Sequence, residues 1–129
     1  MHLIIDFHSS NILLMRDCHE MVNFLNEVAV IAKMHVLGEP IVIGFPWPGS
    51  QDSSALSGVC FLKESAITVH TYPEMRFVFM DVFSCKDFNV HKVSAHICRA
   101  FGAESPTILV LDRGVDMEEN TIIPVKLRR

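Results

Sequence analysis

LSGVCFLKESAITVHTYPE, Leu56 to Glu74, and RFVFMDVFSC, Arg76 to Cys85, form the stretch whose reading decides the fold. Ser57 to Lys63 and Ala66 to Tyr72 are two β-type runs that meet at the polar junction Lys63-Glu64-Ser65. Pro73 to Met75 then turns the chain into a third run, Arg76 to Ser84. Three strands joined by tight turns make an antiparallel meander. If Tyr72 pairs with Arg76 across the Pro73 turn, Cys85 falls opposite Lys63 and Phe83 opposite Ser65. That register puts the Cys85 thiol roughly 7 Å or less from position 65. His70 lies about 16 Å further along the same strand, on the opposite face.

Upstream, His2 to His8 puts Leu3, Ile5 and Phe7 on one face by alternation, as a half-buried strand does. Asp17 with Glu20 has the form of a capping box, and Met21, Leu25, Val28 and Ala32 recur at helical spacing. Gly38 and Pro40 are stop signals, so the pattern predicts a helix from Cys18 to about Val36. Pro40 to Phe45 reads as a short strand and Phe45 to Ala55 as a Pro-, Gly- and Ser-rich surface loop. Downstream, Asn89 is a cap for a second helix with Val90, Val93, Ile97 and Phe101 inward and Gly102 at its end. A last strand, Thr107 to Asp112, precedes a polar tail ending in Arg128 and Arg129. The order strand, helix, strand thus occurs twice. The expected fold is α+β, a two-layer sandwich whose mostly antiparallel sheet is covered by two helices.

Composition narrows the setting. A chain of 129 residues makes one domain, residues 1–129. Half of the residues are hydrophobic and the mean hydropathy is +0.31, yet no apolar run approaches the ~18 residues of a membrane span. The excess apolar surface predicts a buried homodimer interface. Net charge of -4 and a pI near 5.9 give no basic footprint for nucleic acid. The start, MHLIIDFH, lacks the cationic region of a signal peptide, which predicts a cytoplasmic protein. Cys18, Cys60, Cys85 and Cys98 form no C-x-x-C pair, so a zinc site is not expected and the thiols should be reduced. His2, His8, His19, His35, His91 and His96 show no metal-ligand spacing, and no metal is expected.

Taken singly, the central residues are ordinary. A Glu-Ser pair in a turn is usually only a turn, a strand histidine is usually structural, and a cysteine at a strand end is usually a small hydrophobe. A serine hydroxyl attacks the preceding peptide carbonyl only where the turn exposes that carbonyl and holds the oxygen close. The combination carries more weight: Ser57-Gly58-Val59, then Ser65 eight residues on, His70 after five more, Glu74 after four and Cys85 after eleven. In that order and spacing the stretch resembles the self-cleavage region of the S-adenosylmethionine decarboxylases, in their small prokaryotic, pyruvoyl-dependent branch.

The resemblance implies that the Glu64–Ser65 bond breaks itself through an ester, leaving a β chain of residues 1–64 and an α chain of residues 65–129. Ser65 would become a covalent pyruvoyl group that forms a Schiff base with a substrate α-amine, so no separate cofactor is needed. It implies His70 and Ser57 as processing residues, Cys85 as the proton donor after decarboxylation, and Glu74 as the carboxylate for the ribose hydroxyls. Adenine needs aromatic faces, which Phe7, Phe45 or Trp47 would supply. The expected product is the aminopropyl donor for spermidine and other polyamines. The chain departs from many relatives in Ala66, Tyr72, the run Met75-Arg76-Phe77-Val78 and the segment Phe45-Pro46-Trp47-Pro48. Two alternatives stand beside this reading: a pyruvoyl enzyme for ornithine or arginine, and an uncleaved homologue that only binds a ligand or partner.

Overall fold

Strand β1 (His2–Ser9) shows how the sheet acquires one covered face. Leu3, Ile5, Phe7 and Ser9 are buried, while His2, Ile4, Asp6 and His8 point the other way. This is the period-two alternation of a strand with a single packed side. The computed structural model describes residues 1–47, 54–116 and 119–128. Among them seven strands form one sheet in the order β2-β3-β4-β5-β1-β6-β7, every neighbouring pair antiparallel. The strands are β2 (Ile41–Phe45), β3 (Ala55–Leu62), β4 (Ser65–Tyr72), β5 (Phe77–Ser84), β6 (Ala103–Asp116) and β7 (Thr121–Leu127), besides β1. Helices α1 (Ile12–Arg16), α2 (Cys18–Ile31) and α3 (Val90–Phe101) complete an α+β fold.

Local chemistry fixes the helix ends. Asn11 accepts from the Leu14 N–H at 3.3 Å and starts α1, and Asp17 accepts from the Glu20 N–H at 3.0 Å and starts α2. In α2 the residues Met21, Phe24, Leu25, Val28 and Ala29 are buried, the i, i+3, i+4, i+7 stripe that packs on a sheet. Asn89 caps α3, which buries Val93, Ile97 and Phe101. The Phe101 ring meets Phe7 at 5.2 Å and Phe24 at 5.0 Å between centroids. Gly102 ends α3 in the left-handed region, φ 58°, where a Cβ would lie 2.0 Å from Ser10 Oγ. Only glycine meets both conditions.

Four sequence expectations change. Among the described residues the cover has three helices, because the short α1 precedes the one predicted. Helix α2 stops at Ile31 rather than Val36, since Lys33 turns left-handed (φ 57°) and Val36 instead bridges to Leu62 beside β3. The expected polar tail contains a strand: β7, TIIPVKL, closes a hairpin with β6 at the sheet edge, where Pro124 costs no ladder bond to a further strand. The fourth change is the register between β4 and β5, which bears directly on the site.

Candidate active site

Arg76 sets that register. Pro73–Met75 form a 3-10 turn, and Arg76 follows in the left-handed region (φ 54°) with its N–H on the Pro73 carbonyl at 3.0 Å. Its own carbonyl accepts from the Ser9 N–H at 2.7 Å, and its guanidinium Nε donates to the Ser9 carbonyl at 3.0 Å. These bonds hold a conformation that a non-glycine residue otherwise avoids. The connection is therefore four residues long, and Phe77, not Arg76, pairs with Tyr72. Every later pair moves by one. Ser65 lies opposite Ser84, Phe83 lies opposite Ala66, and Cys85 comes beside Glu64 rather than Lys63.

The shift brings a backbone group to the junction. The Cys85 N–H donates to the Glu64 carbonyl at 2.9 Å, the carbonyl of the Glu64–Ser65 peptide bond. β3 and β4 are joined by Lys63 and Glu64 alone, with Leu62 opposite Ser65. A two-residue hairpin usually needs positive φ in its loop, supplied by glycine or asparagine. Neither Lys63 nor Glu64 adopts one, and Ser65 is extended at φ 158°. The turn is held from outside. The Lys63 N–H donates to the His35 carbonyl at 2.9 Å, and the His35 N–H donates to the Glu64 carboxylate at 3.1 Å. The His35 ring Nδ1 lies 2.6 Å from Glu64 Oε1. The Glu64 side chain is only 3% exposed, and the His35 hydrogen bond holds its carboxyl below the usual range.

Ser57 and His70 meet on the uncovered face. They are directly opposed in the β3–β4 ladder, with Ser57 Oγ 3.0 Å from His70 Nδ1. Beside them runs a row of rings: Trp47 on Tyr72 at 4.6 Å, and Tyr72 on Phe79 at 5.9 Å. Phe79 is the β5 partner of His70, and Glu74 is exposed in the turn that follows Tyr72. The pair stays about 16 Å along β4 from Ser65, so one chain does not bring all the expected processing residues together. Nor is Phe7 on this face: it is 1% exposed in the helix-side core against Phe101, which corrects its expected role as an adenine platform. Cys85 is exposed and opens on a cavity of about 400 Å³ whose wall includes Met1, Asp87, Arg113 and Arg128. A cavity of about 450 Å³ on the helix side, lined by Asn11, Leu13, Phe24 and Glu27, holds none of these residues.

A profile described as S-adenosylmethionine decarboxylase matches residues 1–114. The chain belongs to the S-adenosylmethionine decarboxylase family. The S-adenosylmethionine decarboxylase proenzyme of Thermodesulfovibrio yellowstonii is 28% identical over 98% of this chain and 89% of its own length. That of Carboxydothermus hydrogenoformans is 35% identical over 50% of this chain and 51% of its own. The crystal structure of the adenosylmethionine decarboxylase from Aquifex aeolicus superposes with a TM-score of 0.75 at 20% identity, over 91% of this chain and 92% of that one. At that identity the likeness shows a shared fold.

Two features of the site were not expected from sequence. The Cys85 amide reaches the Glu64 carbonyl only because Arg76 lengthens the turn by one residue, which no periodicity signals. The His35 contact follows from α2 ending at Ile31, and Lys33-Met34-His35 has no stop residue of its own to announce it.

Proposed function

We propose that the chain is a proenzyme that cleaves itself between Glu64 and Ser65 into residues 1–64 and 65–129, and that the product decarboxylates S-adenosylmethionine. The observation that carries this reading is the 2.9 Å hydrogen bond from the Cys85 N–H to the Glu64 carbonyl, in a family whose named relatives are S-adenosylmethionine decarboxylase proenzymes. Attack of Ser65 Oγ on the Glu64 carbonyl carbon puts negative charge on that oxygen, and a fixed donor already in place stabilises it without reorganisation. Breaking the C–N bond transfers the Glu64 acyl group to Ser65 Oγ and leaves the Ser65 nitrogen as the amine. Loss of the Ser65 α-proton then expels the Glu64 carboxylate, and addition of water with release of ammonia leaves the pyruvoyl group. Ser65 at the start of β4 fits that origin, since its hydroxyl, nitrogen and α-proton are the only parts consumed. The pyruvoyl carbonyl supplies an electron-accepting group for the substrate α-amine.

The other residues take the roles that the family resemblance implies. His70, with Ser57 at 3.0 Å, is the processing pair. Cys85, exposed at the end of β5, is the proton donor after carbon dioxide leaves. Trp47, Tyr72 and Phe79 offer ring faces to adenine, and Glu74 accepts from the ribose hydroxyls. The uncovered sheet face leaves Ile41, Ile43, Phe61 and Phe79 between 41% and 61% exposed, an apolar surface suited to a second copy of the chain. In such a homodimer the Ser57–His70 pair of one protomer serves Ser65 of the other, which removes the 16 Å separation within one chain. The expected setting is the cytoplasm, where the cysteine thiols remain reduced, and the expected pathway is polyamine synthesis.

Carbon dioxide release from carboxyl-labelled S-adenosylmethionine, ornithine and arginine tests the substrate. Release from S-adenosylmethionine alone is expected. Release from either basic amino acid in its place would overturn the assignment.

A further inference from the structure

The junction turn lacks the local chemistry of a two-residue hairpin, yet its Glu64 side chain is 3% exposed and its carboxylate has three contacts with one residue. His35 donates its main-chain N–H to both carboxylate oxygens, at 3.1 and 3.3 Å, and its ring nitrogen lies 2.6 Å from Oε1. The same residue accepts the Lys63 N–H on its carbonyl at 2.9 Å, and next door the Leu37 N–H donates to the Phe61 carbonyl at 2.8 Å. The segment after α2 thus grips the end of β3 and the two loop residues from one side, while Cys85 grips the Glu64 carbonyl from the other. The His35 side chain is 64% exposed, so packing does not account for where its ring is. A buried carboxylate without hydrogen bonds would be strongly unfavourable, and a bound one cannot swing into the site to act as a base.

We propose that His35 is a positioning residue for self-cleavage, tethering the Glu64 side chain so that the Glu64 carbonyl stays on the Cys85 N–H and within reach of Ser65. The inference rests on the cleavage reading above and adds a reason for glutamate on the acyl side of the bond: its carboxylate is the handle by which the turn is held. Small displacements of a reacting carbonyl slow an intramolecular attack by up to ~100-fold.

Cleavage of the newly refolded full-length chain, followed by intact mass, tests this. His35→Ala and Glu64→Ala are each expected to slow cleavage ~10–100-fold. His35→Asn, whose side-chain amide can donate where Nδ1 does, should restore it, and Glu64→Gln, which keeps an acceptor, should outpace Glu64→Ala. The double variant His35→Ala/Glu64→Ala should be no slower than Glu64→Ala alone, because Glu64→Ala already removes the ring contact that His35→Ala removes. Far-UV circular dichroism identifies any variant that has not folded, and the milder His35→Asn and Glu64→Gln then decide. Cleavage of His35→Ala at the wild-type rate, or equal loss in His35→Asn and His35→Ala, overturns the tether. A wild-type chain that never cleaves instead overturns the reading on which the tether rests.

Discussion

Gly58 lies between Ser57 and Val59 on β3, with its Cα side toward the core. A Cβ added there would come 3.0 Å from Val69 Cγ1, 3.2 Å from Val42 Cγ2 and 3.3 Å from Leu25 Cδ1. Carbon atoms prefer about 3.5–4.0 Å, so in Gly58→Ala each neighbour must retreat by a few tenths of an ångström. Val69 and Leu25 are 0% exposed, and close-packed interiors yield poorly. Overpacking of this kind costs about 1–3 kcal/mol, and loss of glycine flexibility in the unfolded chain offsets about 0.4–1 kcal/mol. The net destabilisation is about 1–2 kcal/mol, a fall in Tm of about 4–10 °C for a domain of this size. Thermal melts of Gly58→Ala in a Ser65→Ala background, where the chain cannot cleave, give the comparison. The retreat of Val69 also shifts its chain neighbour His70, whose Nδ1 is 3.0 Å from Ser57 Oγ, so Gly58→Ala with Ser65 intact should cleave more slowly than wild type. A Tm equal to or above that of the parent would refute the packing argument.

Three further outcomes are expected. The Cys85 backbone N–H donates to the Glu64 carbonyl and its thiol is the proposed proton donor to substrate, so Cys85→Ala should still cleave while turnover falls by about 10²–10⁴-fold; equal loss of both would merge the two roles. Ser65→Ala and His70→Ala chains, each uncleaved alone, should produce cleaved His70→Ala protomers when co-refolded if the dimer shares its sites, and none if each protomer works alone; intact mass reads this directly. The Glu64 carboxyl is held low by His35, so the unfolded state binds a proton more readily. Its stabilisation is present at neutral pH and disappears as pH falls through the folded-state pKa, below the usual glutamate range. Acid unfolding of Ser65→Ala should therefore be less steep in that window after Glu64→Gln.

Much of the fold was legible because its signals are local. The alternation in β1, the Asp17 and Asn89 caps and the Gly102 stop all correspond to observed features, since each rests on residues within one or two turns. The helix after Asn11 was hidden by its five-residue length, too short for periodicity to show. β7 was hidden by Pro124, which argues against a central strand but not against an edge. The register error has a single cause: Arg76 occupies a left-handed position usually given to glycine or asparagine, and only its bonds to Ser9, far away in sequence, reveal why. At the proposed site, Ser57, Ser65, His70, Glu74 and Cys85 were singled out by type and spacing. What spacing could not show was partnership. The Ser57–His70 contact needs the β3–β4 register, and the grip of His35 on Glu64 needs the end of α2. The placing of Phe7 in the core was readable from its alternation with Leu3 and Ile5, had the resemblance not drawn it toward substrate.

The central claim is that the peptide bond between Glu64 and Ser65 is broken by the chain itself. Intact-mass measurement of the purified protein, with Ser65→Ala alongside, tests it most directly. The account predicts two fragments, residues 1–64 and 65–129, the second beginning with a pyruvoyl group, and one uncut chain from the variant. A single full-length species from the wild-type protein, incubated folded and without added protease, would contradict it.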